Sequence, residues 1–330
     1  MTDMPFSGDI PQLLAASFRK REALHSDPDT NAYRLFNGFY EGCPSFSIDR
    51  YGSTAVILWQ SKQARPDASL IKQLSGICMD QLPGISCVLL KNRYAGEESA
   101  KKGTLCVGEQ PDRTIREWGV NYPVDLQVNK DCGFYLDSSL LRKWLIQNTA
   151  GKRVLNTFAY TGSLGDAASA GGALSVTQTD INRNYLISRH SSQEYIFGDF
   201  FHTASMLRRS GRLFDVIILD PPFYANAGRS AKIDLSRNTA ALLNKIRPLA
   251  AHHGRIISVN NALFLSGGDF MKQVESLCGP CLTVSGIIPV PDSFFGFTPV
   301  EGKNLPADPA PFNHSTKIVV LEVLRKDEKV

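Results

Sequence analysis

The chain has 330 residues, of which 43% are hydrophobic and 21% charged, and its formal net charge is +4. This composition excludes a disordered or fibrous chain, and the length exceeds that of one usual core, which predicts two domains. The mild basic charge permits a nucleic-acid partner without indicating one. No apolar stretch reaches the roughly 20 residues that cross a bilayer, and the first residues do not resemble a secretory signal.

Seven cysteines are scattered along the chain. Without an export signal, an odd and dispersed set predicts reduced thiols and a cytoplasmic protein. Cys278 and Cys281 have a spacing found in metal and redox sites, but no second pair or nearby histidine completes a set of four zinc ligands. We therefore expect two free thiols there and no bound metal.

The first 150 residues predict a helix, a small α+β module and a bridge. Apolar residues recur at helical spacing over 9–24, where the basic run Arg19–Arg21 fits a solvated helix face or a phosphate contact. Short β-rich runs punctuated by glycine and proline then follow, with a helix over 68–81. The expected domains are an N-terminal helix (1–29), a small α+β domain (30–112), a hairpin-and-helix bridge (113–150) and a larger domain (151–330).

From Arg153 onward, strands and helices alternate, which predicts a mostly parallel sheet with helices on both faces. The last two strands have no helix between them and should pair antiparallel at one edge. The fold class predicted is α/β, a Rossmann-like seven-stranded sheet with a smaller N-terminal α+β domain. Its strands are expected at 153–160, 173–180, 195–199, 213–220, 255–260, 282–290 and 317–324, with helices from about 163 and 183 and over 234–250 and 268–277.

The turn after the first of these strands, Asn156–Gly162, is suited to a ligand with a carboxylate. In doubly wound sheets the ligand lies beyond the carboxyl ends of the strands. Gly162 lets the backbone approach the ligand, and the following helix N-terminus offers free amides. The G-x-G-x-x-G of dehydrogenases is absent, which counts against NAD. S-adenosyl-L-methionine, which becomes S-adenosyl-L-homocysteine on methyl transfer, fits this pattern.

Acidic residues end the next two strands. Asp180 is placed to accept the ribose hydroxyl protons and Asp199 to bind the adenine amino group. Either one alone could be a helix N-cap, but the series of consecutive strand ends favours a cofactor site. The predicted cofactor residues are Asn156, Phe158, Ala159, Tyr160, Thr161, Gly162, Asp180, Ile181, Asp199, Phe200 and Asp220.

The tetrapeptide Asp220-Pro221-Pro222-Phe223 ends the fourth strand and supplies the predicted catalytic residues. The prolines hold the backbone extended and leave carbonyl groups free to accept hydrogen bonds. A carboxylate beside such a carbonyl can orient a target amine or ring nitrogen, while Phe223 or Tyr224 stacks on a planar base.

A proline-rich loop over 289–316 contains Phe294, Phe295 and Phe297. Loops of this length in compact domains are commonly functional or disordered. Its aromatic residues fit either a base-stacking lid or a hydrophobic flap over the substrate cleft, and the lid is the favoured interpretation. The candidate substrate residues are Tyr224, Asn260, Phe295 and Phe297.

These motifs resemble a bacterial family of 23S ribosomal RNA large-subunit methyltransferases that includes the cytosine-5 enzyme of the large subunit. The resemblance runs from about Asn31 to Leu324 and rests on Asn31–Gly38, Gly133–Asp137, Arg153–Gly162 and Phe214–Pro222. It implies a Rossmann methyltransferase domain, S-adenosylmethionine and a structured RNA target, and it adds Phe134 as an expected cofactor contact.

The sequence also departs from the family pattern. Members commonly begin with an RNA-binding PUA domain, where this chain opens with a helix, and this leaves room for a homodimer to supply RNA-binding surface. The basic residues around the family's G-F-[FY]-L-D bridge are replaced by Asp131, Cys132, Ser138 and Ser139. The Ser-Cys-Ser segment of the cytosine-5 members corresponds to Ser258–Asn261, which has no cysteine.

The missing cysteine bears on the reaction. Carbon 5 of a pyrimidine normally needs a thiolate to add at carbon 6, and only Cys132 in the bridge offers a weak substitute. A nitrogen atom needs no covalent step, so the sequence favours nitrogen methylation of an RNA base. The alternatives are a methyltransferase for a small molecule or protein, and an inactive RNA-binding assembly factor.

Overall fold

The structure is a computed structural model that describes residues 9–62, 66–186, 190–222, 224–226, 232–297 and 311–325. The described residues divide into two compact units. The N-terminal unit contains 9–136 and 291–297, and the C-terminal unit contains 137–290 and 311–325. The hairpin of the predicted bridge thus belongs to the first unit and the bridge helix to the second.

The N-terminal unit is built on a five-stranded sheet in the order β1-β2-β3-β4-β5. Only β3 and β4 are parallel, and the helix α3 connects them. A two-stranded hairpin follows. The elements are α1 (Ile10–Lys20), α2 (Glu22–His25), β1 (Ala32–Asn37), β2 (Phe46–Tyr51), β3 (Thr54–Trp59), α3 (Ala68–Gln81), β4 (Cys87–Asn92), α4 (Glu98–Lys102), β5 (Thr104–Val107), β6 (Thr114–Glu117) and β7 (Val120–Pro123).

Arg21 divides the predicted N-terminal helix in two. Its side chain is fully buried, not solvated, and its guanidinium forms an ion pair with Glu41 at 2.9 Å. The same guanidinium donates to the Ser293 carbonyl oxygen at 2.8 Å. Because a buried charge is tolerated only when paired and hydrogen-bonded, Arg21 acts as an internal anchor that holds residues 291–297 on this unit.

The C-terminal unit has the predicted seven-stranded sheet, in the order β10-β9-β8-β11-β14-β16-β15. The first five strands are parallel, and β16 is antiparallel to both of its neighbours. The elements are α5 (Ser139–Asn148), β8 (Arg153–Thr157), α6 (Ser163–Ala170), β9 (Ser175–Asp180), β10 (Gln193–Phe197), α7 (Phe200–Arg209), β11 (Phe214–Leu219), β12 (Tyr224–Asn226), β13 (Lys232–Asp234), α8 (Leu235–Ile246), β14 (Ala250–Asn260), α9 (Gly267–Glu275), β15 (Leu282–Ile288) and β16 (Lys317–Val323).

The strand order places a topological switch point beside β8. The chain runs outward from β8 to β9 and β10, then crosses back to β11 on the other side of β8. Such a switch point opens a crevice at the carboxyl ends of the strands. Apolar side chains of β8, β11 and β14, including Leu155, Ile217 and Ile256, are fully buried and fix the position of these strand ends.

Two local predictions are wrong. The first strand ends at Thr157, and Phe158 and Tyr160 have φ values of 55° and 52°, which no strand allows. The helix expected from about Arg183 is absent over 181–186 and 190–192, the described residues between β9 and β10. Asp180 and Asn182 each accept a hydrogen bond from the backbone amide two residues later, and such local bonds compete with helix formation.

Within the described ranges, none of the helices is both long enough and apolar enough to cross a membrane.

Candidate cofactor and substrate site

The turn from β8 into α6 has an unusual backbone. Phe158, Tyr160 and Gly162 all have positive φ, at 55°, 52° and 99°. Left-handed conformations cost about 1–2 kcal/mol at a non-glycine residue, and such strain concentrates at ligand sites. Gly162 is the N-cap of α6 and contributes no side-chain cap, so the first amides of that helix face the turn without a capping partner.

A chain of hydrogen-bonded, buried side-chain amides lies next to the turn. Asn156 Nδ2 donates to Gln178 Oε1 at 2.9 Å, and Gln178 Nε2 donates to Gln193 Oε1 at 2.6 Å. A Cβ atom at Gly165 would lie 2.3 Å from Gln178 Cδ. The first turn of α6 can therefore lie on this amide chain only because residue 165 has no side chain.

Asp180 links the turn to the end of β9. Its Oδ2 accepts from the Tyr160 amide and its Oδ1 from the Asn182 amide, both at 2.8 Å. Each carboxylate oxygen has a further lone pair available for a ligand hydroxyl. Beside it, Ile181 leaves 55% of its surface exposed, and an exposed apolar side chain at this edge can pack against a planar ring.

Asp199 is both a helix cap and a candidate ligand. Its Oδ1 accepts from the His202 amide at 3.0 Å and caps α7. Its Oδ2 is buried and has no hydrogen-bond partner among the residues that the structure describes. The next residue, Phe200, is buried and stacks on Phe158 with ring centroids 4.8 Å apart, so both aromatic rings pack against the core of the C-terminal unit and are not a free surface.

These groups fit S-adenosylmethionine. The uncapped amides of α6 suit its carboxylate, the Asp180 oxygens suit ribose hydroxyls, and the unpartnered Oδ2 of Asp199 can accept from the adenine amino group. Asn156 Oδ1 is likewise buried and lacks a partner within the described part of the chain. Buried polar atoms without partners are rare, and they indicate that this crevice is shaped for a polar ligand.

Asp220 follows β11, next to the turn, and its carboxyl group is strongly perturbed. Burial raises its pKa to about 7, the nearby charge of Asp137 adds to this increase, and Arg142 opposes it. Arg142 is fully buried in α5. Asp137 Oδ2 accepts a hydrogen bond from Thr316 Oγ1 at 2.6 Å, which holds that carboxylate in place. A carboxyl group with a pKa near neutrality can act as an acceptor or base under physiological conditions.

The other residues of the tetrapeptide are placed only in part. Pro221 is buried and Pro222 exposed. Phe223 lies outside the described residues, and for Tyr224 the structure gives the backbone, which begins β12.

Three residues predicted for ligand contact are buried and have contacts within their own units. Asn260 is fully buried, with Nδ2 donating to Thr239 Oγ1 and Oδ1 accepting from the Ala262 amide, so it shapes the loop after β14. Phe295 is buried in the N-terminal unit, near Tyr40, because the Arg21 anchor draws residues 291–297 onto that unit. Phe134 is buried in the same unit, near Tyr122.

Phe295, predicted as part of a lid, packs against Tyr40 within the N-terminal unit. Phe294 stacks under the Arg34 guanidinium at 3.9 Å in the same unit, and Phe297 keeps 40% of its surface exposed. Residues 298–310, the middle of the predicted loop, lie outside the described residues.

Sequence reasoning missed the exposed apolar residues after β14. Phe264 is 88% exposed and Leu263 47% exposed. Ser258 pairs with Leu219 in register, so the loop that follows Asn260 leaves the sheet at the same edge as Asp220. In this loop Asn261 Oδ1 is buried without a partner among the described residues. A run such as Ala262-Leu-Phe-Leu265 reads as core, and only the structure shows which of its side chains are exposed.

Cys132, the one cysteine that the sequence offered as a substitute nucleophile, is not activated in this structure. Cys132 is buried in the N-terminal unit, and burial raises its pKa to about 12, so its reactive thiolate is scarce at neutral pH. All seven cysteines are free. In the described ranges, no three His, Cys, Asp or Glu side chains form a group that could hold a metal ion.

Comparison with known proteins agrees with this geometry. The sequence profile of the S-adenosylmethionine-dependent methyltransferase family matches residues 84–305. The chain is 30% identical, over 76% of its length, to the Bacillus subtilis protein named "Putative ribosomal RNA large subunit methyltransferase YwbD". It is 30% identical, over 65% of its length, to ribosomal RNA large subunit methyltransferase I of Photobacterium profundum. The matches cover 65% and 57% of these two relatives.

A solved structure described as "SMU.776, a putative methyltransferase complexed with SAH" has the same fold. The TM-score is 0.79 at 24% identity, and the match covers 95% of this chain and 80% of that one.

Proposed function

Because this chain belongs to the S-adenosylmethionine-dependent methyltransferase family, we propose that it methylates a base of ribosomal RNA, at a nitrogen atom rather than at carbon 5 of cytosine. Relatives named as ribosomal RNA large subunit methyltransferases support the RNA substrate. The observation that carries the choice of a nitrogen atom is the Asp220 carboxyl group, whose pKa burial raises to about 7, at the edge where the cofactor residues converge.

The chemistry follows from the charges at this edge. Bound S-adenosylmethionine supplies a methyl group on a positively charged sulfur. The ionised Asp220 carboxylate accepts a hydrogen bond from the target N–H, directs the nitrogen lone pair at the methyl group and takes up the proton that the nitrogen loses. No covalent enzyme intermediate is needed, which is consistent with the cysteine-free segment Ser258–Asn261.

The exposed residues Leu263 and Phe264 complete the proposed substrate side. An unstacked base has an apolar face, and stacking on an aromatic side chain contributes about 1–3 kcal/mol per base. Phe264 leaves the sheet at the same edge as Asp220, so it is available to hold the target base or its neighbour.

Substitution of Asp220 tests the proposal. We expect Asp220→Ala to abolish methyl transfer from labelled S-adenosylmethionine to ribosomal RNA while cofactor affinity, measured by calorimetry, changes by only a few fold. Asp180→Ala is the matched contrast, because it removes a carboxylate at the same edge and should weaken cofactor binding by roughly 1–3 kcal/mol. An Asp220→Ala protein with near-normal turnover would remove this residue from the chemistry.

A further inference from the structure

The C-terminal unit has a second concave surface, at the amino ends of its strands and opposite the cofactor edge. A pocket of about 680 Å³ lies between the end of α7, the start of β14, the turn before β15 and the end of β16. Four arginines line it: Arg208, Arg212, Arg247 and Arg325. A smaller adjoining pocket shares Arg208 and adds Arg209 and Lys245. These six residues are called the basic edge below.

The basic edge has few acidic partners. Arg212 is neutralised, because its guanidinium forms a two-pronged ion pair with Glu194 at 2.7 and 3.0 Å. Arg208, Arg209 and Arg247 form no ion pair with any residue that the structure describes. Lys245 donates to the Ser205 hydroxyl at 2.6 Å, a neutral partner that leaves its charge uncompensated.

Helix ends do not account for these charges. Arg208 and Arg209 lie in the last turn of α7 and Lys245 in that of α8, where cations are favoured because each helix C-terminus carries about half a negative charge. Together, the C-terminal ends of α7 and α8 offset about one positive charge. Arg247 and Arg325 lie outside both helices and add to the remaining excess, although the whole chain carries only +4.

We propose that the basic edge binds the phosphate backbone of RNA, as a contact separate from the cofactor edge. Concave surfaces lined by arginine suit phosphodiesters, because guanidinium groups bind phosphate oxygens in pairs. β11 has six residues, so the two edges are about 20 Å apart, a distance that a structured RNA can span. The inference rests on the proposed RNA substrate.

A salt titration tests this inference. The double variant Arg208→Gln/Arg247→Gln removes two guanidinium groups without ion-pair partners among the described residues from exposed or half-exposed positions. Binding of a labelled large-subunit ribosomal RNA transcript is measured by filter binding at several salt concentrations. We expect about tenfold weaker binding and a salt slope smaller by roughly 1.4–1.8, as for two lost phosphate contacts. Calorimetry should show unchanged S-adenosylmethionine affinity.

The matched control is Lys152→Gln/Lys272→Gln, which removes the same net charge from exposed positions of the same unit outside the basic edge. If both doubles weaken binding equally, the attraction is general and the inference is wrong. If the wild-type protein binds no RNA, both the inference and the proposed RNA substrate fail. If the wild-type protein binds RNA and the basic-edge variant binds it equally well, the inference is wrong but the proposed RNA substrate is not affected.

Discussion

At the scale of single residues, the environment of Asp220 determines what its carboxyl group can do. The sequence identified Asp220 as the residue that ends the fourth strand of the Rossmann series. It did not identify Asp137 as the charge beside it, although Asp137 ends the Gly133–Asp137 motif. Only the fold brings the two carboxyl groups and Arg142 together, because their separation along the chain carries no signal of proximity.

This environment predicts the pH dependence of methyl transfer. Below its pKa of about 7 the Asp220 carboxyl group is protonated and cannot accept the target proton, so the single-turnover rate should rise as pH increases through 7 and then level off. Asp137→Asn removes the like charge that raises this pKa. The rise should therefore move to lower pH in the variant, as followed by quenched methyl transfer across the pH range.

Two controls separate turnover from binding. Cofactor affinity measured at each pH should show no matching transition, and Asp220→Asn should have low activity without the pH-dependent rise. If the pH profile of methyl transfer in Asp137→Asn is the same as in the wild-type protein, the charge of Asp137 does not act on the Asp220 carboxyl group.

At the scale of secondary-structure elements, the cofactor crevice depends on how α6 lies against β9. The sequence predicted both elements and the functional turn between them. It could not show that Gln178 lies beneath the helix, since a polar residue inside a strand is ordinarily expected to face solvent. The expected helix after Asp180 was wrong for a related reason, because short polar side chains there bind the local backbone instead.

This contact makes Gly165 a sensitive position. Gly165→Ala would place Cβ 2.3 Å from Gln178 Cδ, and the amide hydrogen bonds of Gln178 oppose its movement. We expect a loss of about 1–3 kcal/mol in the free energy of unfolding, measured by urea denaturation, together with weaker cofactor binding.

Gly76→Ala in α3 is the control for helix propensity. A Cβ atom there meets nothing within 4 Å. The free energy of unfolding of the variant should therefore increase by about 0.5–1 kcal/mol. If Gly165→Ala and Gly76→Ala change the free energy of unfolding equally, α6 does not pack against Gln178.

At the scale of the whole molecule, the order of strands was the most predictable feature. Alternating strands and helices indicated the parallel part of the large sheet, and the missing helix before Lys317 indicated its antiparallel edge, which the structure confirms. The course of residues 291–297 was not predictable. Their place on the N-terminal unit depends on Arg21, which is ion-paired with Glu41 and donates a hydrogen bond to the Ser293 carbonyl oxygen, 272 residues away in sequence.

The two edges of the C-terminal sheet have different proposed roles. The carboxyl ends of the strands carry Asp220, the exposed Phe264 and the residues proposed to bind the cofactor, while the six residues of the basic edge lie at the amino ends. The sequence gave signals for the first, since strand ends carry recognisable motifs. It gave none for the second, whose arginines come from three separate segments of the chain and meet only in the folded unit.

Nucleoside analysis tests the central proposal most directly. Large-subunit ribosomal RNA is treated with the purified protein and S-adenosylmethionine, digested to nucleosides and analysed by mass spectrometry, with Asp220→Ala and Cys132→Ala in parallel. We expect a base methylated on nitrogen, formed by wild type and Cys132→Ala but not by Asp220→Ala. Formation of 5-methylcytosine by the wild-type protein, persisting in Cys132→Ala, would contradict the account.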